Sequence, residues 1–302
     1  MLWLNGNQSI KNIFLNDYIR VAKNCGFNIR KIFQYSKNSC VFLTSNNTVI
    51  KILNPFLAKY QIKNYLFAND IFLKFGIATP YNLSIKKDGD FYIIESQYIE
   101  FKSFFNKKSL AEADAAFFKF FSKLSKAKRI KFGLFSLRNS LPPAFINCDY
   151  LEYWDKQFDY FLKKISNGDF RNNAKKYYEL LRKKIKISQQ FILSHSDISP
   201  KHIFIYKSKI GCVDLEEAMY LDSSFMWAIW YVRTIHERKN KLDKIFFNEF
   251  VSRNLDFDLF IFHVYRELLI QYYYEKSHNN FFRDYSKILK NIQLILRVSR
   301  SV

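Results

Sequence analysis

The chain has 302 residues, with 48 Lys and Arg against 27 Asp and Glu, for a net charge of +21. Apolar residues make up 49% of it and include 33 Phe, 20 Tyr and 4 Trp, far more than a chain with nothing to bury would carry, so intrinsic disorder is excluded. Only 7 Gly and 5 Pro are present, which excludes collagen-like and linker-rich classes and leaves one large domain or two modest ones.

Cys25, Cys40, Cys148 and Cys212 stand singly, with no CxxC pattern and no close pairing with His, so buried thiols in a reducing compartment are expected rather than disulfides or a zinc site. The start MLWLNGNQSIKNIF lacks a basic segment followed by an apolar one, and no apolar run approaches about 18 residues. These features predict a cytoplasmic protein, with peripheral contact to the inner face of an anionic membrane left open.

In chain order, IRKIFQYS, CVFLTSNN and TVIKIL between Ile29 and Leu53 are short, rich in β-branched and aromatic residues, and separated by polar turns, the pattern of a small antiparallel sheet. Residues 56 to 75 follow with Leu57, Ile62, Leu66, Phe67 and Ile71 at helical spacing and end at Gly76. FYIIESQYIE, from Phe91 to Glu100, reads as a further strand, so the first hundred residues read as strands with one inserted helix. Beyond Ser109, a candidate cap with Glu112 three residues later, the character is helical. A break at Asn139 to Pro143 precedes helical stretches at 149 to 165 and 171 to 186. FILSH, HIFIY and IGCVD are extended, and residues 223 to 298 are helical again, with Asp222 capping their start. The fold class is therefore α+β: a small antiparallel β lobe over residues 1–102 and a larger helical lobe over 103–302 carrying one hairpin.

The stretch ILSHSDISPKHIFIYKSKIGCVDLEEA, residues 192 to 218, concentrates the chemistry. Asp214 ends the returning strand 17 residues after Asp197, and a hairpin of that size brings His195, Asp197, His202 and Asp214 toward one edge. Phosphoryl transfer needs such an edge: a carboxylate near the acceptor hydroxyl and ligands for Mg²⁺ ions that bridge nucleotide phosphates. Mg²⁺ prefers oxygen, so Asp214 suits the metal, Asp197 the hydroxyl, and His202 the metal less directly.

The pattern H-x-D, a polar residue five positions after the Asp, and a short hairpin ending apolar-Asp-apolar-Glu resembles the catalytic and metal-binding motifs of the protein-kinase-like phosphotransferases. These include aminoglycoside phosphotransferases, choline kinases and lipopolysaccharide core sugar kinases. The resemblance implies ATP and Mg²⁺ as cofactors, a two-lobed protein-kinase-like fold, Asp197 as the hydroxyl-orienting residue, His195 as a brace for the metal loop, and Asp214 with His202 on the metal. It further implies Lys51, in the strand TVIKIL, on the α and β phosphates, and Gln97 and Tyr98 in the hinge beside adenine. GIATP resembles the lipopolysaccharide kinase branch. Two features depart from the pattern: YSKNSC has no Gly to cover phosphates, and no Glu occurs between Pro55 and Pro80 to hold Lys51, leaving Gln61, Asn64, Asn69 or Asp70.

Plainer readings stand beside these. Lys51 reads equally as a solvated strand lysine, and Glu216 and Glu217 as ordinary loop carboxylates, with Glu216 able to pair with a basic neighbour. His236, His263 and His278 read as structural. KAKRIK at 126 to 131 and the lysines of 175 to 186 read either as solvated helix faces or as a surface for an anionic partner. Cationic acceptors call for acidic pockets, so the charge favours a small-molecule or glycolipid acceptor of the sugar type. Nucleic acid is not expected, because no RNP, KH or zinc-finger pattern is visible.

Overall fold

The computed structural model describes residues 14–35, 39–100, 110–129, 133–134, 149–165, 168–186, 190–235, 238 and 244–277. The first lobe is a five-stranded antiparallel sheet in the order β1-β2-β3-β5-β4, built from β1 (Ile29–Tyr35), β2 (Ser39–Thr44), β3 (Thr48–Leu53), β4 (Asn82–Asp88) and β5 (Phe91–Gln97). Two helices flank it, α1 (Leu15–Asn24) and α2 (Pro55–Lys74). The inserted helix is α2, α1 precedes the first strand, and β4 is a strand additional to those expected.

Period-two alternation along β3 decides what faces the site. Ile50 and Ile52 point into a small core with Ile93, Phe42, Cys40 and the Tyr18, Val21 and Ala22 face of α1. Lys51 and Leu53 point the other way, where Leu53 and Ile94 join the large core that includes Tyr65, Ala68 and Phe72 of α2. The buried face of α2 differs from the expected stripe. Leu66 and Phe67 are exposed, while the polar Gln61 and Asn64 are buried.

The second lobe contains α3 (Leu110–Leu124), α4 (Tyr150–Lys163), α5 (Gly168–Arg182), α6 (Ser223–Arg233), α7 (Lys244–Ser252) and α8 (Phe257–Ser277). It carries the expected hairpin of β9 (Ile203–Tyr206) and β10 (Lys209–Cys212), and also a four-stranded sheet that corrects the one-hairpin reading. That sheet runs β6-β8-β11-β7, from β6 (Lys128–Arg129), β7 (Gly133–Leu134), β8 (Phe191–His195) and β11 (Ala218–Leu221). Pairing of Ala218 with His195 fixes the end of β8 beside the start of β11. The candidate cap Ser109, the break at 139 to 143, Cys148, His236, His278 and the segment beyond 277 lie outside the described residues.

Asp222 caps α6 through Ser224 N–H and Phe225 N–H, at 3.0 and 3.1 Å. Its other oxygen accepts from Tyr150 and lies 2.7 Å from His263 Nε2, so His263 is a buried structural histidine. The lobes are tied where Ala78 bridges Gly211: Ala78 N–H donates to Ile210 O at 2.8 Å, and Cys212 N–H to Ala78 O at 2.9 Å. Among the described residues, Cys25, Cys40 and Cys212 are free thiols, and no helix is long and apolar enough to cross a membrane.

Candidate functional site

A cleft of about 340 Å³ lies between the lobes, lined by Lys51, Asp214 and Glu216 at one end and by Gln97, Tyr98, Pro80 and Phe33 among others. Its walls include Val41, Val49, Ile94 and Ile99, and Phe33 of β1 stacks on Tyr98 with centroids 6.0 Å apart and planes 17° apart. Gln97 N–H donates to Tyr81 O at 2.9 Å, which fixes the strand end leading to Tyr98. The slot is apolar and flat on this side and charged on the other.

The charged end is built by the turn after β10. Asp214 adopts the left-handed conformation (φ 65°, ψ 40°), which a side chain that bonds locally tolerates better than most. The 3-10 turn Leu215–Glu217 follows and brings Glu216 inward. Lys51 Nζ donates to Asp214 Oδ1 at 2.5 Å and to Glu216 Oε1. The two carboxylates hold the ammonium charged despite its burial. Burial works to raise Asp214, but Lys51 and then His202 pull it well below the usual carboxylate range. Burial dominates at Glu216, and the Asp214 charge adds to it, pushing the carboxyl up to about 7.

None of the four α2 residues considered as holders of Lys51 does so. Asn64 Nδ2 donates instead to the backbone oxygens of Glu216 and Ala218, at 2.8 and 2.6 Å. Asn69 accepts from Thr79 at 2.7 Å, Asp70 is exposed, and Gln61 Oε1 is buried with no hydrogen-bond partner among the described residues. Glu216 is thus the residue that sequence reasoning undervalued. Its signal was its place two residues after Asp214 in a chain whose helix lacks the carboxylate.

On the other edge, β8 ends in His195, which is fully buried. Its Nε2 lies 3.0 Å from Val213 O, which has no proton to give, so Nε2 carries the hydrogen and Nδ1 accepts from Asp197 N–H at 3.3 Å. Burial pushes this imidazole down to about 4, so it is neutral at pH 7. His202 Nδ1 lies 2.5 Å from Asp197 O, a carbonyl that can only accept, so Nδ1 donates to it. Its Nε2 then faces Asp214 Oδ2 at 3.8 Å. The two rings stack at 5.3 Å, and His202 O accepts from Val213 N–H at 3.0 Å, closing the hairpin. Asp197, about one-third exposed, accepts at Oδ1 from Arg233 Nη2 at 2.6 Å. Burial acts to raise its carboxyl, and the Arg233 guanidinium helps to bring it below the usual value.

Lys51, Asp214, His202, Asp197 and His195 therefore meet along one edge, and Gln97 and Tyr98 lie on the apolar wall of the adjoining cleft. Asp214 Oδ2 and His202 Nε2, 3.8 Å apart and too far for a hydrogen bond, form a donor pair that fits a divalent metal. Among the described residues no group of three or more His, Cys, Asp or Glu is gathered for a metal, so an ion there takes its other ligands from phosphate or water, as Mg²⁺ does. Residues 36 to 38, in the loop expected over the phosphates, lie outside the described residues.

No protein-family model and no curated protein sequence matches the chain. Solved structures do. A thermostable mutant of aminoglycoside phosphotransferase APH(4)-Ia in its apo form superposes with a TM-score of 0.67 at 13% identity, over 93% of this chain and 99% of the other. Spectinomycin phosphotransferase APH(9)-Ia, in complex with ADP and spectinomycin, superposes at 0.57 with 14% identity, over 94% of each chain. The GDP and kanamycin complex of APH(2")-IIIa superposes at 0.53 with 14% identity, over 94% and 98%. The chain has the two-lobed, protein-kinase-like fold of the aminoglycoside phosphotransferases.

Proposed function

We propose that this protein is an ATP- and Mg²⁺-dependent phosphotransferase acting on a hydroxyl of a sugar or other small molecule. The observation that carries the reading is the convergence of Lys51, Asp214, His202 and Asp197 beside an apolar slot between two lobes. Residues 1–102 form the nucleotide-binding lobe and 103–302 the lobe with the catalytic loop and acceptor site.

The roles follow from charge and reach. Phe33, Tyr98 and Gln97 hold the adenine, and Lys51 neutralises the α and β phosphates. Asp214 and His202 would hold Mg²⁺, which would supply positive charge to offset that of the phosphates. Asp197 orients the acceptor hydroxyl and takes its proton as the acceptor oxygen bonds to the γ phosphorus and ADP leaves. His195 braces the loop, since its neutral ring joins Asp197 N–H to Val213 O.

The acceptor class we favour is a lipopolysaccharide core sugar, met at the cytoplasmic face of the membrane, because a chain of net charge +21 suits an anionic acceptor. An aminoglycoside-type acceptor is the second reading. It is favoured by neighbours in complex with spectinomycin and with kanamycin. Thermal stabilisation by ATP only when Mg²⁺ is present, lost in Asp214→Asn, is the expected result. Absence of any nucleotide effect on the wild type would leave a kinase-like binding module and end the enzyme reading.

A further inference from the structure

Helix α6 is buried from Ser224 to Val232, and Arg233 in its last turn is where it reaches solvent, beside Asp197. The guanidinium lies between two carboxylates, hydrogen-bonded to Asp197 and within ion-pair distance of Glu267, whose buried Oε1 accepts no hydrogen bond among the described residues. Nη2 lies 2.6 Å from Asp197 Oδ1 and 3.1 Å from Oε1 of Glu267, a nearly buried carboxylate on α8. Glu267 sits in the continuous buried run of α8 from Leu259 to Leu269, so it is a fixed seat for the cation, whereas Asp197 is on the open side.

This pairing occupies an oxygen of the carboxylate that the phosphotransferase reading assigns to the acceptor hydroxyl. A group on the acceptor that draws Arg233 away from Asp197, while Glu267 keeps the cation in place, would release that oxygen for the hydroxyl. An anion does this most strongly, because its hydrogen bonds to the guanidinium are charge-assisted. A polycationic acceptor would instead meet Arg233 as a like charge, and the neighbouring helices offer it little relief. The α4–α5 region from 150 to 186 has 10 Lys and Arg against 5 Asp and Glu. Three of those carboxylates already pair locally: Glu152 with Lys156 at 2.7 Å, Asp155 with Arg182 at 3.0 Å, and Glu179 with Lys175 at 4.0 Å. Residues 103–302 as a whole carry 35 Lys and Arg against 21 Asp and Glu.

We infer that Arg233, seated on Glu267, is a specificity residue that selects an acceptor bearing a phosphate or carboxylate group close to the hydroxyl that is phosphorylated. The inference rests on the phosphotransferase reading and narrows its acceptor to anionic sugars, either soluble sugar phosphates or the head groups of phosphorylated glycolipids.

The test compares binding of glucose 6-phosphate, glucose and kanamycin to protein saturated with AMP-PNP and Mg²⁺, and to nucleotide-free protein. Glucose 6-phosphate should bind at least tenfold more tightly than glucose, and kanamycin should not compete with it. Arg233→Gln should bring the phosphate-to-glucose ratio close to one, and Arg233→Lys should keep part of it. Because the readout is a ratio within one variant, a general loss of stability does not mimic it. Kanamycin binding more tightly than glucose 6-phosphate, a wild type indifferent to the phosphate, or an unchanged ratio in Arg233→Gln would each overturn the inference. Sedimentation with vesicles containing lipid A, dependent on Arg233, assigns the glycolipid source; retention of only the soluble phosphate assigns the other. Failure of the wild type to bind AMP-PNP would sink the phosphotransferase reading by itself, and the nucleotide-free ratio still judges Arg233.

Discussion

Lys51 on β3 is held by Glu216, a carboxylate only two residues beyond Asp214, while α2 grips the backbone of that same turn through Asn64. The lysine, the candidate metal ligand and the carboxylate that orients the lysine thus belong to one short loop and one strand. The helix reaches that loop through two of its carbonyl oxygens. Lys51 is shared between Asp214 and Glu216, so a bound Mg²⁺ that takes over Asp214 still leaves the ammonium a partner.

Truncation of this cluster should be strongly non-additive. Lys51→Met removes the one cation between two buried carboxylates, and breaking a buried pair in this way costs about 3–5 kcal/mol. Glu216→Gln should cost much less stability but lower nucleotide affinity about tenfold, close to 1.4 kcal/mol, because Lys51 loses its fixed direction. The double variant Lys51→Met/Glu216→Gln should recover part of the stability lost in Lys51→Met alone. Urea midpoints of the three variants check this. A double variant as unstable as the sum of the singles would show that the two residues do not act as a pair.

The metal reading makes its own demand on Asp214. Its left-handed backbone is shared more readily by Asn than by Ala, so Asp214→Asn is the variant that removes charge with least strain. We expect Asp214→Asn to fold, to lose most of the ATP-dependent thermal shift seen with Mg²⁺, and to respond no further to EDTA. The same shift in wild type and Asp214→Asn, with and without EDTA, would remove Asp214 from the metal site.

The tie between lobes rests on a glycine. A Cβ at Gly211 would lie 2.4 Å from Cε2 and Cζ of Phe204 and 2.9 Å from Ala78 O, so something must shift. Gly211→Ala should therefore destabilise by about 1–3 kcal/mol, the usual range for overpacking. Phe204→Leu in the same chain should return part of that by clearing the ring. Chemical denaturation of the single and double variants decides it, and a neutral Gly211→Ala would mean that the bridge to Ala78 opens at no cost.

Much of this was legible in the sequence, for identifiable reasons. TVIKIL alternates cleanly, so both the strand and the direction of Lys51 relative to Ile50 and Ile52 follow from period two. HSDISPKH is bounded by apolar strands, so its polar residues had to gather at a sheet edge. The strand β4 was hidden because NLSIKKD is mostly polar and sits at the sheet edge, where alternation has little to bury. Glu216 was obscured by its neighbour Glu217. A three-residue turn leaving a left-handed Asp214 is what brings Glu216 to the cleft, and backbone handedness at one aspartate leaves no mark in composition or spacing. Asn64 misled for a related reason, since a buried amide serves a backbone carbonyl as well as a lysine.

Acid sensitivity gives the last test, and its sign follows from His195. Burial holds this imidazole at about 4, against 6.5 in an unfolded chain. Between those values the unfolded chain binds the proton and the native one does not, so the contribution is complete above about pH 6.5 and is lost as the pH falls toward 4. The whole window is worth about 3 kcal/mol at 1.36 kcal/mol per unit. A glutamine can donate to Val213 O from nearly the same position as Nε2 but does not titrate. In EDTA, to keep metals out of the comparison, His195→Gln should be less stable than wild type at pH 7 and should lose less stability on going to pH 5. His263 remains in both proteins, so its own acid response cancels in the difference. Parallel stability curves for the two proteins across that interval would mean that His195 is protonated in the native state, and the neutral brace assigned to it beneath Asp197 would have to be abandoned.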